Sequence, residues 1–407
     1  MAMIQTIDNQ GVLASKGFLA GAAACGIKKS GHSDVVVIYA SAALTGIGMV
    51  GTQNIVCAPS VLRNRTFVAQ SDTHVRGIVI NAGCANVATG PVGVANNNQM
   101  ARSLSHLIDG DVLTASTGII GVQLPMDKLI TGINQAFVNA GSSHAHDVSA
   151  AYGIMTTDLV PKSCAVAITH DNAQFRIGGI AKGSGMIAPN MATMLGFITT
   201  DANISSELLQ KALVICNART FNAITVDGDT STSDQCIILA SGCSLVKVDT
   251  LESTLGILFL SALERVLLSL AKSIARDGEG ATKLIAVTVD GARTEDDACR
   301  VAKTIAESPL VKTALFGNDP NWGRLMMAAG RAGIHFDPLK STASIAGYKV
   351  YEAGLPTDFD PMQVSEAMKQ PDVTLHVDLG MGGDGSFTFY TCDFSYDYIR
   401  INAEYTT

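Results

Sequence analysis

Residues 182–200 run KGSGMIAPNMATMLGFITT, and the two halves of that stretch obey different rules. Gly183 and Gly185 permit backbone angles closed to other residues and let neighbouring groups approach closely. Pro189 then fixes the chain just ahead of Ala192 and Thr193. From Met194 to Thr200 the residues are apolar and β-branched, the composition of a buried strand.

Similar strand-like runs recur at 34–40 (DVVVIYA), 77–81, 164–169, 236–240, 284–289, 373–379 and 386–391. They are bounded by Gly, Asn, Asp or Ser, and they mix alternating with continuous apolar patterns, so some strands are buried on both faces. Helical spacing appears at 126–140, 206–218, 254–276 and 362–369, for example Leu129, Ile130, Ile133 and Phe137 on one face. The fold class is therefore α/β, with sheets and helices in layers.

Composition narrows the function. The 407 residues carry Asp+Glu 36 against Lys+Arg 28, a net charge of −8, with no basic cluster and one Trp, which argues against nucleic acid as a partner. The apolar run 255–274 is interrupted by Glu264, Arg265 and Lys272 and reads as a buried helix, not a membrane span. The apolar run 17–27, flanked by Lys16, Lys28 and Lys29, lies behind the acidic Asp8 and lacks a signal-peptide cleavage site, and nine scattered Cys without a CxxC pair fit reduced thiols. A cytoplasmic protein without membrane association is the expectation.

Three motifs are decoys. Gly380–Gly385 (GMGGDG) satisfies GxGxxG, but a strand follows it where a pyrophosphate site needs a helix, so it reads as a Gly-rich hairpin. Residues 227–234 (DGDTSTSD) lack the glycine and glutamate of a calcium loop. His144, His146 and Asp147 read as a solvated loop after Gly141. No metal site is expected.

The 182–195 segment carries the chemistry. A Thr at the head of a buried strand, after a constrained loop, suits a self-processing nucleophile whose hydroxyl attacks the carbonyl of Ala192. Cutting there frees the Thr193 α-amine, whose pKa of about 7.7–8.0 fits it to act as base for its own Oγ. On its own, however, the segment reads first as an ordinary loop-to-strand junction.

Seven further motifs change that weighting. KGFLAGAAACGIKKSG (16–31), NAGCANVATG (81–90), STGIIGVQLPMDKL (116–129), IMTTD (154–158), FNAITVDGDTSTSDQ (221–235), RDGEGATKL (276–284) and GNDPNWGRLMMAAGRAG (317–333) occur in order, and the chain ends CDFSYDYIRINAEYTT. Together with 182–202 they closely resemble the ornithine acetyltransferases, the glutamate N-acetyltransferases of arginine biosynthesis, over nearly the whole chain.

The resemblance implies a layered sandwich of β-sheets flanked by helices, with a smaller C-terminal α/β domain at about 285–395. It implies a precursor cut between Ala192 and Thr193 into pieces 1–192 and 193–407, assembled as two of each, with Thr193 as nucleophile. Thr117 and Gly118 would form the oxyanion hole, a donor there being worth about 2.7–4 kcal/mol. Thr156, Lys182, Thr193, Glu279, Asn402 and Thr407 would contact substrate, the tail 396–407 folding back with 394–399 as its anchor. Acetyl would pass from N2-acetyl-L-ornithine to L-glutamate by a ping-pong route needing no cofactor, with acetyl-CoA a co-substrate in some members.

The chain departs from the family pattern at Cys84, where Asn is usual, at Ala223, where Arg is usual, within 50–56, and mildly at Asn318. These bear on specificity or assembly more than on chemistry. Asp227, Asp229 and Trp322 read as scaffold. Two other readings compete: a self-processing aminopeptidase or amidase on a similar fold, and an uncut, silent paralogue.

Overall fold

A computed structural model describes residues 3–70, 74–188 and 194–404 of the chain. Ala192, Thr193 and Thr407 lie outside the described residues. The described residues form two compact units: one runs up to Asn222 and adds Asp229–Ile274, and the other takes Ala223–Gly228 and the chain from Ala275 onward.

In the first unit, a six-stranded sheet has the order Met3–Thr6, Lys162–His170, Ala173–Lys182, Leu195–Thr200, Gln235–Ala240, Gly46–Gly51. A four-stranded sheet has the order Phe18–Ala23, Val35–Ala40, Val75–Cys84, Asp111–Ile119. The continuous apolar run at 34–40 is explained by its two faces. Val36 and Ile38 join Ile78, Ile80, Phe197, Ile237 and Leu239 in a core between the sheets. Val35 and Val37 join Met100, Leu104, Leu129 and Ile133 in a second core, under helices Gly90–Ile108 and Met126–Val138. Period-2 alternation thus serves two cores at once.

The outer face of the six-stranded sheet is covered by helix Thr254–Arg276, where a Cβ on Gly179 would meet Leu270 at 3.2 Å and Phe175 stacks on Phe259 at 6.0 Å. Phe259, Leu263, Val266, Leu270 and Ile274 line its buried face. That helix is long and apolar enough to cross a membrane by length and composition, yet its apolar face is spent on the sheet. The first unit is therefore helix, sheet, sheet, helix: the layered α/β sandwich.

The second unit is one six-stranded sheet in the order Leu355–Pro356, Tyr348–Glu352, Thr342–Ile345, Asp372–Asp378, Leu284–Ala292, Gly385–Cys392. Helix Glu295–Ala306 buries Ala298, Val301, Ala302 and Ile305 against it. Thr294 caps that helix by accepting from Asp297 N at 3.1 Å, and three acids in its first turn favour the helix dipole.

Two expectations are corrected. Gly380–Gly385 is not a hairpin, because strand 284–292 lies between 372–378 and 385–392. The segment crosses the end of that strand, where a Cβ on Gly383 would sit 2.2 Å from Ala292 O and one on Gly380 2.2 Å from Lys340 O. The glycines serve close backbone approach. His144, His146 and Asp147 begin helix His144–Gly153, not a loop; Asp147 is buried and accepts from Gly11 N at 2.6 Å and Leu13 N at 3.2 Å.

Candidate active site

Thr117 and Gly118 lie near the end of strand Asp111–Ile119, which runs parallel to Val75–Cys84 with Thr117 opposite Ala82 and Gly118 opposite Gly83. Gly118 has φ +125°, and a Cβ there would lie 2.3 Å from Gly83 C. Both backbone angle and space exclude any other residue.

Lys182 ends strand Ala173–Lys182, opposite Leu195, and so projects from the other sheet of the first unit. It is only 8% exposed, and its Nζ donates to Thr117 Oγ1 at 3.3 Å. A hydroxyl that accepts from an ammonium becomes a better donor through its own O–H. Two residues 65 positions apart are thus joined into one electrostatic device.

Asp158 was not singled out from the sequence, yet it is the hub of this corner. Its Oδ1 accepts from Lys162 Nζ at 2.7 Å and from Gly183 N at 2.7 Å, and its Oδ2 from Thr156 N at 3.1 Å. Thr156 and the loop after Lys182 are therefore held by one carboxylate. Burial pushes Asp158 up, but Lys182, Lys162 and the Gly183 N–H outweigh it and bring its pKa down to about 2. Nearby, burial and the Lys182 charge lower Lys28 to about 8 against the pull of Asp34. The corner carries excess positive charge, suited to a carboxylate-bearing substrate.

A folded pKa below the unfolded value means Asp158 stabilises the protein above about pH 4, and the gain fades as pH falls toward 2. Asp158→Asn is expected to cost about 3–5 kcal/mol, because it leaves Lys162 buried without its anion. Thermal melting at neutral pH checks the loss, and the variant's stability should fall less steeply than wild type between about pH 4 and 2.

The flanks of residues 189–193 are both pinned by one segment. Thr230 Oγ1 donates to Ala188 O at 3.0 Å, and Gln235 N donates to Met194 O at 3.1 Å. The 50–56 departure packs against the same segment, since Thr52 Oγ1 donates to Ser231 O at 2.6 Å and Asn54 Nδ2 to Thr230 O at 2.8 Å. Cys84 is buried, with Sγ 3.3 Å from Val122 O.

In the second unit, Glu279 and Asn402 meet: Asn402 Nδ2 donates to Glu279 Oε2 at 2.9 Å. Glu279 lies beyond the end of helix Thr254–Arg276, in a loop clamped by the C-terminal segment. Buried Asp393 accepts from Thr282 N at 2.8 Å and Lys283 N at 3.0 Å, and Ser395 Oγ donates to Gly280 O at 2.5 Å. Gly280 has φ +71°, and a Cβ there would lie 2.4 Å from Tyr398 N. The expected apolar anchor at 394–399 is only partly realised. Phe394 stacks on Tyr398 at 4.7 Å, but Tyr396 and Ile399 are 84% and 68% exposed, so Asp393 and Ser395 do the clamping. Asn318, one of the departures, accepts from Lys283 Nζ at 2.6 Å and so supports the same loop. Ala223 is fully buried in this unit's core, where an Arg would have no room for its charge. Trp322 stacks on Tyr351 at 5.5 Å, a packing role.

Among the described residues, no group of three or more His, Cys, Asp or Glu is arranged to hold a metal ion. The structure brings Thr117, Lys182 and, through Asp158, Thr156 together in one unit, and Glu279 with Asn402 in the other.

A family model described as the ArgJ family matches residues 19–407. The chain is 45% identical to the arginine biosynthesis bifunctional protein ArgJ of Gloeobacter violaceus, with 100% of both chains covered. It is 42% identical to the protein of the same name from Synechocystis, again over 100% of each. Among solved structures, the argJ protein of Bacillus halodurans is 44% identical with a TM-score of 0.51, covering 52% of this chain and 100% of that one. With a family match across almost its entire length and relatives this similar from end to end, the chain belongs to the ArgJ family.

Proposed function

We propose that this chain is the ornithine acetyltransferase (glutamate N-acetyltransferase) of arginine biosynthesis, moving acetyl from N2-acetyl-L-ornithine to L-glutamate through acetyl-Thr193. Membership of the ArgJ family supports the pathway and reaction. The observation that carries the mechanism is the contact of Lys182 Nζ with Thr117 Oγ1, which sets a polarised hydroxyl beside Gly118 where an acyl oxyanion needs two donors.

The chain is first cut between Ala192 and Thr193. Thr193 Oγ then attacks the acetyl carbonyl and passes its proton to the Thr193 amine. Thr117 O–H and Gly118 N–H hold the oxyanion. Ornithine leaves with that proton, and the glutamate amine attacks the ester to give N-acetyl-L-glutamate. Thr156, Lys182, Glu279, Asn402 and Thr407 are the substrate contacts that the family resemblance implies. No cofactor is needed because the acetyl rides on the protein, and acetyl-CoA is the second donor to assay. The working form is a cytoplasmic assembly of two N-terminal and two C-terminal pieces.

Steady-state rates at several fixed glutamate concentrations test this. Parallel double-reciprocal lines, with no ornithine release beyond acetylglutamate formed, are expected. Intersecting lines contradict the acyl-enzyme, and ornithine release beyond one equivalent per enzyme in the absence of glutamate favours an amidase-like hydrolase.

A further inference from the structure

The acetyl-transfer mechanism leaves one ammonium at the Thr117–Lys182 corner unused. Lys28 is half-buried in the loop between strands Phe18–Ala23 and Val35–Ala40. Its Nζ donates to Ser33 O at 2.6 Å and to Gly153 O at 3.0 Å. Gly153 is the last residue of helix His144–Gly153, whose carboxyl end favours a cation, and the chain runs on from there to Thr156 and Asp158. A Cβ placed on Gly83 would lie 3.3 Å from Lys28 Cγ, and Gly83 stands opposite Gly118 in the strand ladder. The Lys28 stem therefore packs beside the Gly83–Gly118 pair, while its head is tied to the segment that leads to Thr156.

An ammonium carries three N–H donors. Two are spent on backbone carbonyls, and among the described residues no protein group accepts the third. The two carboxylates whose charges act on Lys28, Asp34 and Asp158, are committed to other donors. Asp34 accepts from Cys25 N at 2.8 Å, Ile27 N at 2.7 Å and Lys28 N at 3.0 Å. Asp158 holds Lys162 Nζ, Gly183 N and Thr156 N. Burial, helped by the like charge of Lys182 and opposed by Asp34, lowers Lys28 to about 8. A half-buried cation with an open donor, close to a second cation, calls for an anion that the protein itself does not supply.

The substrate has one in the right place. N2-acetyl-L-ornithine carries its α-carboxylate on the carbon that bears the acetamido nitrogen, so an acetyl carbonyl held at Thr117 and Gly118 brings that carboxylate into the same corner. On the reading that the chain transfers acetyl from this substrate, we propose that Lys28 is a specificity-determining residue, its open N–H closing with Lys182 around the substrate α-carboxylate. L-Glutamate likewise carries its α-carboxylate next to the reacting amine, so one clasp serves donor and acceptor in turn. The bound carboxylate stabilises the charged form of Lys28 that burial penalises.

N-Acetylputrescine, which is N2-acetylornithine without the carboxylate, isolates the contact. kcat/KM for both donors is measured in wild type and in Lys28→Gln, which removes the charge but keeps a donor for the two backbone carbonyls. Melting curves are taken on the same protein. A wild type that does not transfer acetyl from N-acetylornithine sinks the functional reading and this proposal with it. In active enzyme, wild type should prefer N-acetylornithine. Lys28→Gln should lower kcat/KM for that donor by about 10–100-fold, mainly through KM, and leave N-acetylputrescine within about 3-fold of wild type. A merely structural role would weaken both donors alike, so equal losses, or a wild type indifferent to the carboxylate, overturn the proposal. Where N-acetylputrescine turns over too slowly to measure, its Ki against N-acetylornithine is compared instead and should be unchanged. If Lys28→Gln does not fold, Lys28→Met takes its place, and failure of both to fold assigns Lys28 to the scaffold and overturns the proposal.

Discussion

Thr193→Ala is expected to purify as one uncut 407-residue chain and to lose acetyl transfer by about 10⁶-fold. Both effects come from one oxygen. Without Oγ nothing attacks the Ala192 carbonyl, so the chain stays whole and the α-amine is never released. Nucleophile and base therefore disappear together, and what remains is binding plus the Thr117–Gly118 donors. Intact mass and an acetylglutamate assay on the same preparation check both effects. Thr193→Ser is the informative companion, since it restores a hydroxyl at the same place and should recover both cutting and turnover in part. A fully active, uncut Thr193→Ala would remove the basis of the mechanism.

Gly118→Ala carries the second-largest expected effect, and here the cause is steric. The added methyl would lie 2.3 Å from Gly83 C, 2.6 Å from Gly83 Cα and 2.7 Å from Cys84 N, at φ +125°. All three neighbours are backbone atoms of the paired strand, so no side chain can swing away. The unfavourable angle costs about 1–3 kcal/mol. Forcing the strands apart adds about 1–3 kcal/mol. The melting midpoint should therefore fall clearly. Since the same shift displaces the Gly118 N–H, activity should drop by about 10²–10³-fold in whatever protein folds. A variant with wild-type melting and activity would show that Gly118 is not the constrained donor described here.

Much of this architecture could be read from local pattern. The run 34–40 reads as strand because its apolar residues are continuous, and helix Ser206–Ala218 follows from its spacing; the structure adds Ser205 as its cap, accepting from Leu208 N. Helix Gly90–Ile108 was not legible, because Asn96–Asn98 and Gly93 dilute its apolar face. Strand order was hidden too: 372–378 and 385–392 are separated by a strand from far earlier in the chain, and no local signal encodes that.

At the site, the resemblance pointed to Thr117, Lys182, Glu279 and Asn402, and the structure places them in two pairs in contact. What it did not point to were the acids that hold them. Asp158 and Asp393 look like ordinary loop or strand-end acids. Their roles exist only through partners distant in sequence, such as Gly183 N for Asp158 and Thr282 N for Asp393. A buried carboxylate that organises backbone N–H groups leaves no periodicity to find.

The most direct test of the acyl-enzyme is the mass of the processed protein after brief exposure to N-acetylornithine without glutamate, quenched in acid. The piece beginning at Thr193 should gain one acetyl group while the other piece is unchanged, and adding glutamate before the quench should remove it. An unmodified C-terminal piece, in protein shown to transfer acetyl under the same conditions, would contradict covalent transfer through Thr193.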